Sequence, residues 1–404
     1  MKTTTILSTF VLTSLLCNAT PCAQDFYLTT ADNRLIRVNV GLPGIVLDNK
    51  AITGLAKDEV ILGIDFRPAS APNMPELLAL GSTSRLYKID LASGVATPNA
   101  NSLVPVLNGT TFGFDFNPTV DRIRIVSDAD QDLRAHPDTG AVVAVDGTLA
   151  YAATDARFGQ NPNVVASAYT NSRANVTSTV LYGIDSNQDT LVRQDPPNAG
   201  VLNTVGPLGI NTSAVAAFDI AGNDDVGYAV VTSPGQNVTS SALFRVDLKT
   251  GAASFISILP VMMPVTGFSA VPTPGVMFYG VATAGCVGLP SVGVTGSPTL
   301  GNSSFAITEI NALPATAGRL ILGVKNAIPP VMLGVLSFNV DPFDPLTLWL
   351  PVATDGRGAT TAPLPIPNDQ RLVGLTLYAQ FLWADRCAVM LAAGSNAVSF
   401  TIQN

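Results

Sequence analysis

A degenerate repeat with a period near 50 residues constrains this chain more than any other feature. GIDFRP (63–68), GFDFNP (113–118), SAYTNS (167–172), AFDIAG (217–222) and GFSAVP (267–272) align. Their third positions are Asp65, Asp115, Tyr169, Asp219 and Ser269, at steps of 50, 54, 50 and 50. A second column keeps the same phase: LIRVN (35–39), LYKID (86–90), LRAHP (133–137), LVRQD (191–195) and LFRVD (243–247). Each is followed by a turn glycine, Gly44, Gly94, Gly140, Gly200 and Gly251. Further short runs, such as ELLAL (76–80) and VGYAVV (226–231), lie between the two columns. Apolar residues that alternate over so few positions have the period of a strand. Four short strands per 50-residue unit is the pattern of a β-propeller blade.

The count gives five units, and their order matters. The chain starts with the second, third and fourth strands of a unit (residues 26–47), and the unmatched first strand, residues 265–271, comes last. Pairing the late strand with the early three closes a ring and removes two exposed sheet edges. The expected fold is all-β: a five-bladed β-propeller with interleaved ring closure over residues 25–275, then a β-sandwich over residues 283–404. The join falls near Thr273-Pro274-Gly275. The tail reads as a sandwich from its alternating runs and Pro/Gly turns. The composition agrees, because 34 Gly and 29 Pro punctuate a chain with only 12% charged residues.

The N-terminus carries Lys2, an apolar run from Ile6 to Leu16 and then small residues. It reads as a secretory signal peptide over residues 1–23, with cleavage after Ala19 or Ala23. The expected location is therefore extracellular or periplasmic, and no later stretch reads as a transmembrane segment. Cys17 and Cys22 lie in or beside the signal, which leaves Cys286 and Cys387 as the natural pair; in an oxidising compartment they form one disulfide. Closing a loop of 101 residues stabilises by roughly 4 to 5 kcal/mol in the chain-entropy model.

Function classes narrow by elimination. A net charge of −8 with no cluster of Lys and Arg argues against nucleic acid as a partner. The one histidine, His136, sits in a turn before Pro137-Asp138-Thr139-Gly140 and lacks the partners of a triad or zinc site. No phosphate loop, dinucleotide fingerprint or nucleophile elbow occurs. Asp128-Ala129-Asp130-Gln131-Asp132 begins like a calcium loop, but Leu133 and Thr139 stand where Gly and Glu are needed, so it reads as a turn. Trp349 and Trp383 are core residues in this reading, with a sugar platform as the alternative.

The repeat column is the remaining candidate. First strands of blades line the central channel, so Asp65, Asp115, Tyr169, Asp219 and Ser269 form a broken polar ring near the axis. Buried carboxylates there must be satisfied by backbone N–H groups, by Arg67, by water or by a cation. Asp65, Asp115 and Asp219 are the candidate metal ligands, and their hard oxygens suit Ca2+.

The strings GFDFNPTVDRIRIVSD (113–128), LRAHPDTGAVVAVDGTLAY (133–151) and LYGIDSNQDTLVRQDPPNAGVLNTVGPLG (181–209) resemble a family of secreted bacterial proteins defined as a domain of unknown function. The likeness spans residues 25–272 and implies a bacterial, exported protein; it brings no catalytic residues. GSPTLGNSSFAITEINALP (296–314) and LVGLTLYAQFLWAD (372–385) resemble a C-terminal module of secreted bacterial proteins. The expectation from all of this is an exported, non-catalytic binding or scaffold protein without a cofactor, whose partner is an extracellular glycan or protein. The alternative is a Ca2+-dependent hydrolase or lactonase that uses the acidic channel.

Overall fold

The computed structural model describes residues 24–40, 44–70, 75–212, 216–234 and 239–404. The signal segment expected over residues 1–23 lies outside them. Five antiparallel sheets come first. The first contains Val265–Ala270, Asp25–Thr30, Arg34–Asn39 and Val46–Ala51 in that order, so the late strand pairs with the early one, Phe26 opposite Ala270 and Leu28 opposite Phe268. The second runs Ile61–Phe66, Leu77–Gly81, Arg85–Ile89, Ala96–Ser102, and the third Phe112–Asn117, Arg122–Ser127, Asp132–Ala135, Val142–Val145. The fourth runs Val164–Tyr169, Leu181–Asp185, Thr190–Gln194, Val201–Pro207, with the two-residue strand Ala150–Tyr151 added in parallel at its edge. The fifth is Ala216–Ala221, Val226–Pro234, Thr239–Val246 and Ala253–Leu259.

The turn chemistry explains the second repeat column. Asp90 and Asp247 end their strands, and each carboxylate caps the hairpin that follows: Asp90 accepts the Ser93 N–H at 2.7 Å and Asp247 the Lys249 N–H at 2.8 Å. Gly94 (φ 75°) and Gly251 (φ 82°) then take the left-handed conformation that closes each turn. These aspartates stabilise the turns that follow their strands.

The core lies between sheets. Tyr27 and Leu35 of the first sheet pack with Ile64, Phe66 and Leu77 of the second. Leu78 and Leu80 pack with Phe114, Phe116 and Ile123 of the third. Val126 meets Val164 and Val192 of the fourth, and Val165 and Ile184 meet Phe218 and Ile220 of the fifth. Phe26 and Ile36 of the first sheet close the series against Tyr228 and Val230 of the fifth. Each inner strand also touches the inner strand of the next sheet, and Val265–Ala270 touches Ile61–Phe66. Small residues permit that approach: a Cβ on Gly63 would lie 2.8 Å from Phe114 Cβ, and one on Gly267 would lie 2.8 Å from the Ile64 nitrogen.

Beyond Gly275 the chain builds a second all-β region. Its five-stranded sheet has the order Val276–Tyr279, Ala392–Thr401, Thr376–Ala384, Ala317–Gly323, Leu348–Ala353, so the strand Val276–Tyr279, ahead of residue 283, already belongs to it. A three-stranded sheet, Ser291–Val294, Ala306–Ile310 and Thr360–Pro363, packs on one face through Val292, Phe305 and Ile307 against Phe278, Phe381 and Phe400. The hairpin of Asn326–Leu333 and Leu336–Val340 packs on the other. Cys286 and Cys387 form the disulfide, and Asp385 accepts the N–H of both cysteines at 2.9 Å. Trp383 is core, stacked on Phe381, whereas Trp349 lies on the edge strand and is 42% exposed. No helix among the described residues is long and apolar enough to cross a membrane.

Candidate functional site

The repeat column converges as its spacing demands, with one slip. Asp65, Asp115 and Asp219 are each buried, and a carboxylate oxygen of each lies within 4.8 Å of the other two. Every one accepts a backbone N–H from the inner strand of the next sheet: Phe116 donates to Asp65 Oδ2 (2.8 Å), Tyr169 to Asp115 Oδ1 (3.0 Å) and Ala270 to Asp219 Oδ2 (2.6 Å). Ser269 Oγ accepts the Phe66 N–H at 3.2 Å and donates to Asp65 Oδ1 at 2.8 Å. The polar column therefore ties adjacent sheets together at four of five junctions. That is why an aspartate sits between two phenylalanines in GFDFNP.

Tyr169 does not complete the ring. In sheet register Asp219 and Ser269 face Tyr228 and Tyr27, and the residue that faces the equivalent Tyr182 is Ala168. The second sheet has the same register shift, between Ile61 and Gly63, as the fourth has between Val164 and Ala166, so in equivalent register Ala168 stands where Asp65 does. Tyr169 takes the place of Phe116 and turns its hydroxyl to Arg124, whose Nε donates to it at 3.2 Å. Ala168 has no acceptor, so the junction between fourth and fifth sheets lacks the tie. Arg67 is not the counter-ion of Asp65 either; it pairs with Asp121 at 2.5 Å and Asp138 at 2.6 Å on the surface.

Electrostatics follow from this crowding. Burial holds the Asp65 carboxyl well above the usual range, with the Asp219 charge adding to it, and burial with the Asp65 charge does the same for Asp115. Burial pushes Asp219 up to about 7, against the lowering effect of the Ala270 and Ile220 N–H groups. The ring favours bound protons, and a hard cation would be an alternative source of the same compensation.

A second polar constellation had no signal beyond one strand position. Arg124 alternates as a solvent-facing residue in DRIRIV, yet its side chain is 1% exposed. Nη1 donates to Asp132 Oδ1 (2.6 Å) and Asp146 Oδ2 (2.8 Å), Nη2 to Asn198 Oδ1 (2.7 Å), and Gln194 Nε2 donates to Asp132 Oδ2 (2.6 Å). The network fills the junction of third and fourth sheets where apolar packing is thinnest. It also claims Asp132, the last acid of the calcium-like run, while Asp128 caps Thr110. His136 lies in its turn, with Nδ1 accepting the Asp138 N–H at 3.2 Å.

The large concavity lies above the ring. A cleft of about 650 Å³ opens where the inner strands end, with Phe66, Asp219, Ile220 and Ala270 in its lining. Loops of the fourth and fifth sheets supply Ser172, Arg173, Asn175 and Asn223, and the C-terminal sheets supply Met277, Ser399, Thr401 and Gln403. At the opposite ends of the inner strands, around Gly63, Gly113 and Gly267, only about 20 Å³ is open. The acidic ring thus underlies one mouth of the sheet array.

A family model described as "Domain of unknown function (DUF4394)" matches residues 34–269. The chain belongs to the DUF4394 family. The match runs from the second strand of the first sheet, Arg34–Asn39, leaves out Asp25–Thr30, and stops within the late strand that pairs with it. No curated protein matches the sequence. Among solved structures, the crystal structure of Myxococcus xanthus glutaminyl cyclase is similar at 12% identity, covering 61% of this chain and 93% of that one, with a TM-score of 0.34. At that score the likeness carries no argument about fold or chemistry for the DUF4394 sheets.

Proposed function

We propose that this is an exported, non-catalytic binding protein: a five-bladed propeller closed by its late strand, joined to a β-sandwich, with a saccharide as ligand in the cleft between them. The observation that carries the reading is the 650 Å³ cleft, whose walls combine hydroxyl and amide side chains with the apolar rings of Pro68, Pro118, Pro272 and Pro274. Concavity with a few polar groups on apolar walls is the usual form of a small-ligand site. Loops at one mouth of a rigid array are where binding residues concentrate. Export is supported by the apolar N-terminal run and by the disulfide. The test is a glycan and cell-wall screen of the full chain beside Ala69→Trp, which fills the cleft from an exposed lining position. Binding should fall at least about tenfold in the variant while its melting is unchanged; undiminished binding would sink the cleft.

The convergence of Asp65, Asp115 and Asp219 favours a second reading, a Ca2+-dependent hydrolase or lactonase. Giving one oxygen each, the three carboxylates would supply three of the six to eight oxygens Ca2+ takes. The cation would polarise a substrate oxygen entering from the cleft. Metal analysis of the purified chain and of its three Asp→Asn variants decides it: calcium that is bound and then lost in the variants promotes this reading, and a metal-free wild type removes it.

A further inference from the structure

The cleft has an asymmetric charge inventory. Among the described residues, the ionisable groups that line it are Arg173 and Asp219. Both oxygens of the Asp219 carboxylate accept backbone N–H groups, one from Ala270 and the other from Ile220, at 2.6 Å each. Arg173 forms no ion pair within 4.0 Å among the described residues. Asp225 of the fifth-sheet loop accepts the Asn171 N–H.

Arg67 is neutralised by Asp121 and Asp138, Arg124 by Asp132 and Asp146, and Arg134 by Asp146, whereas the half-buried Arg34, Arg122 and Arg157 donate to neutral groups; Arg173 differs from these three in lining the cleft. Arg173 is held by neutral groups from three segments. Nη1 donates to Gly222 O (2.7 Å) and Met277 Sδ (3.0 Å), and Nη2 donates to Asn171 Oδ1 (3.0 Å). A guanidinium has five N–H groups, so Nε–H and one N–H of Nη2 have no acceptor among the described residues, and a thioether is a weak acceptor that yields easily to a better one. A planar fork held in place at a cleft wall, with its counter-charge missing, is arranged for a carboxylate.

We propose that the ligand of the cleft is a carboxylated saccharide, such as a uronic acid oligomer, with Arg173 as the group that grips the sugar carboxylate. This rests on the saccharide reading above. Prolines and amides of the walls take the ring faces and hydroxyls, and Arg173 discriminates acid from neutral sugar. The chain carries a net charge of −8, yet long-range repulsion of a short acidic oligomer is screened beyond about 8 Å at physiological ionic strength.

Calorimetry of the full chain with tri-galacturonate and with its fully methyl-esterified, neutral twin tests the inference. The acid should bind at least about tenfold more tightly than the ester, the advantage of a charge-assisted bidentate contact. Arg173→Gln should bring the two to within about twofold of each other, and Arg173→Lys, which keeps the charge without the fork, should retain part of the preference. Thermal melts of both variants separate lost recognition from a disturbed loop. Equal wild-type affinity for acid and ester overturns the anion inference and leaves the cleft as a neutral-sugar site. A preference for acid that survives Arg173→Gln overturns the role of Arg173. Failure of both oligomers to bind overturns the carboxylated ligand together with the saccharide reading.

Discussion

Asp219→Asn is the most informative single change, because the sign of its effect reverses with pH. The Asp219 carboxyl is raised from its ordinary 3.8 to about 7 by burial. Between those values the folded chain keeps a proton that the unfolded chain has released. Stability is therefore fully present below the ordinary value and falls as pH rises through the window, then levels above about 7. At 1.36 kcal/mol per pH unit the loss amounts to about 4 kcal/mol. Asparagine does not titrate and keeps an acceptor for the Ala270 N–H, at a cost of about 1 kcal/mol for the altered hydrogen bonding. The variant should be slightly less stable than wild type near pH 4 and about 3 kcal/mol more stable near pH 8. The measurement is urea denaturation across that range, followed by far-ultraviolet circular dichroism. Tryptophan fluorescence is unsuitable, because Trp349 and Trp383 both lie in the C-terminal sheets. A variant that is less stable at pH 8 would refute the argument, since it would mean that the wild-type carboxylate is ionised and compensated. If a chelator then abolished the difference, the compensation would be a cation.

Arg124→Met leaves Asp132 and Asp146 without their buried cation, and should cost about 3 to 5 kcal/mol in urea denaturation; adding Asp132→Asn should recover part of it, because burial already pushes Asp132 up to about 6. Replacing Cys286 and Cys387 together by Ser should lower the tryptophan-fluorescence transition, by up to about 4 to 5 kcal/mol, with the dichroism of the five sheets little changed. Deleting residues 25–54 removes the partner of Val265–Ala270 and exposes two inter-sheet clusters. It should abolish the cooperative transition of the five sheets, and a truncated chain that melts as sharply as the full one would sink ring closure.

The repeat was legible because its signals are local: alternation within a strand, an aspartate at the strand end, a glycine in the turn. The slip at Tyr169 shows where such signals fail. The column position of the fourth sheet is the apolar Ala168, and a search for polar residues at the repeat spacing lands on its neighbour Tyr169 instead. The neighbouring column would have corrected it, since Tyr27, Tyr182 and Tyr228 face Ser269, Ala168 and Asp219. Arg124 was harder. Alternation assigns it to a surface, and only the meeting of Asp132, Asp146 and Asn198 makes burial tolerable. The cleft left no trace, for it is assembled from six separated stretches between Phe66 and Gln403. No periodicity records the encounter of loops with a second set of sheets.

The same geometry separates what must be rigid from what can vary. Each of the five sheets shares an apolar cluster with two neighbours, so removing one would expose two clusters and unfolding is expected to be collective. The aspartate ties sit at the inner strands, where the sheets approach most closely, and they fix the floor of the cleft. Its upper wall has no such support. Contacts across the junction include the Phe278 N–H donated to Asn223 O at 3.1 Å and the Arg173 guanidinium on Met277 Sδ. A ligand that touches both walls would add contacts where the protein itself makes few. On the proposed reading its binding free energy therefore appears partly as stabilisation of the junction, by mass action on the docked state. Saturating ligand should then raise the melting of the C-terminal sheets, seen through Trp383, as well as that of the five sheets. A shift confined to the five sheets would place the ligand on the loops alone and remove the C-terminal wall from the site.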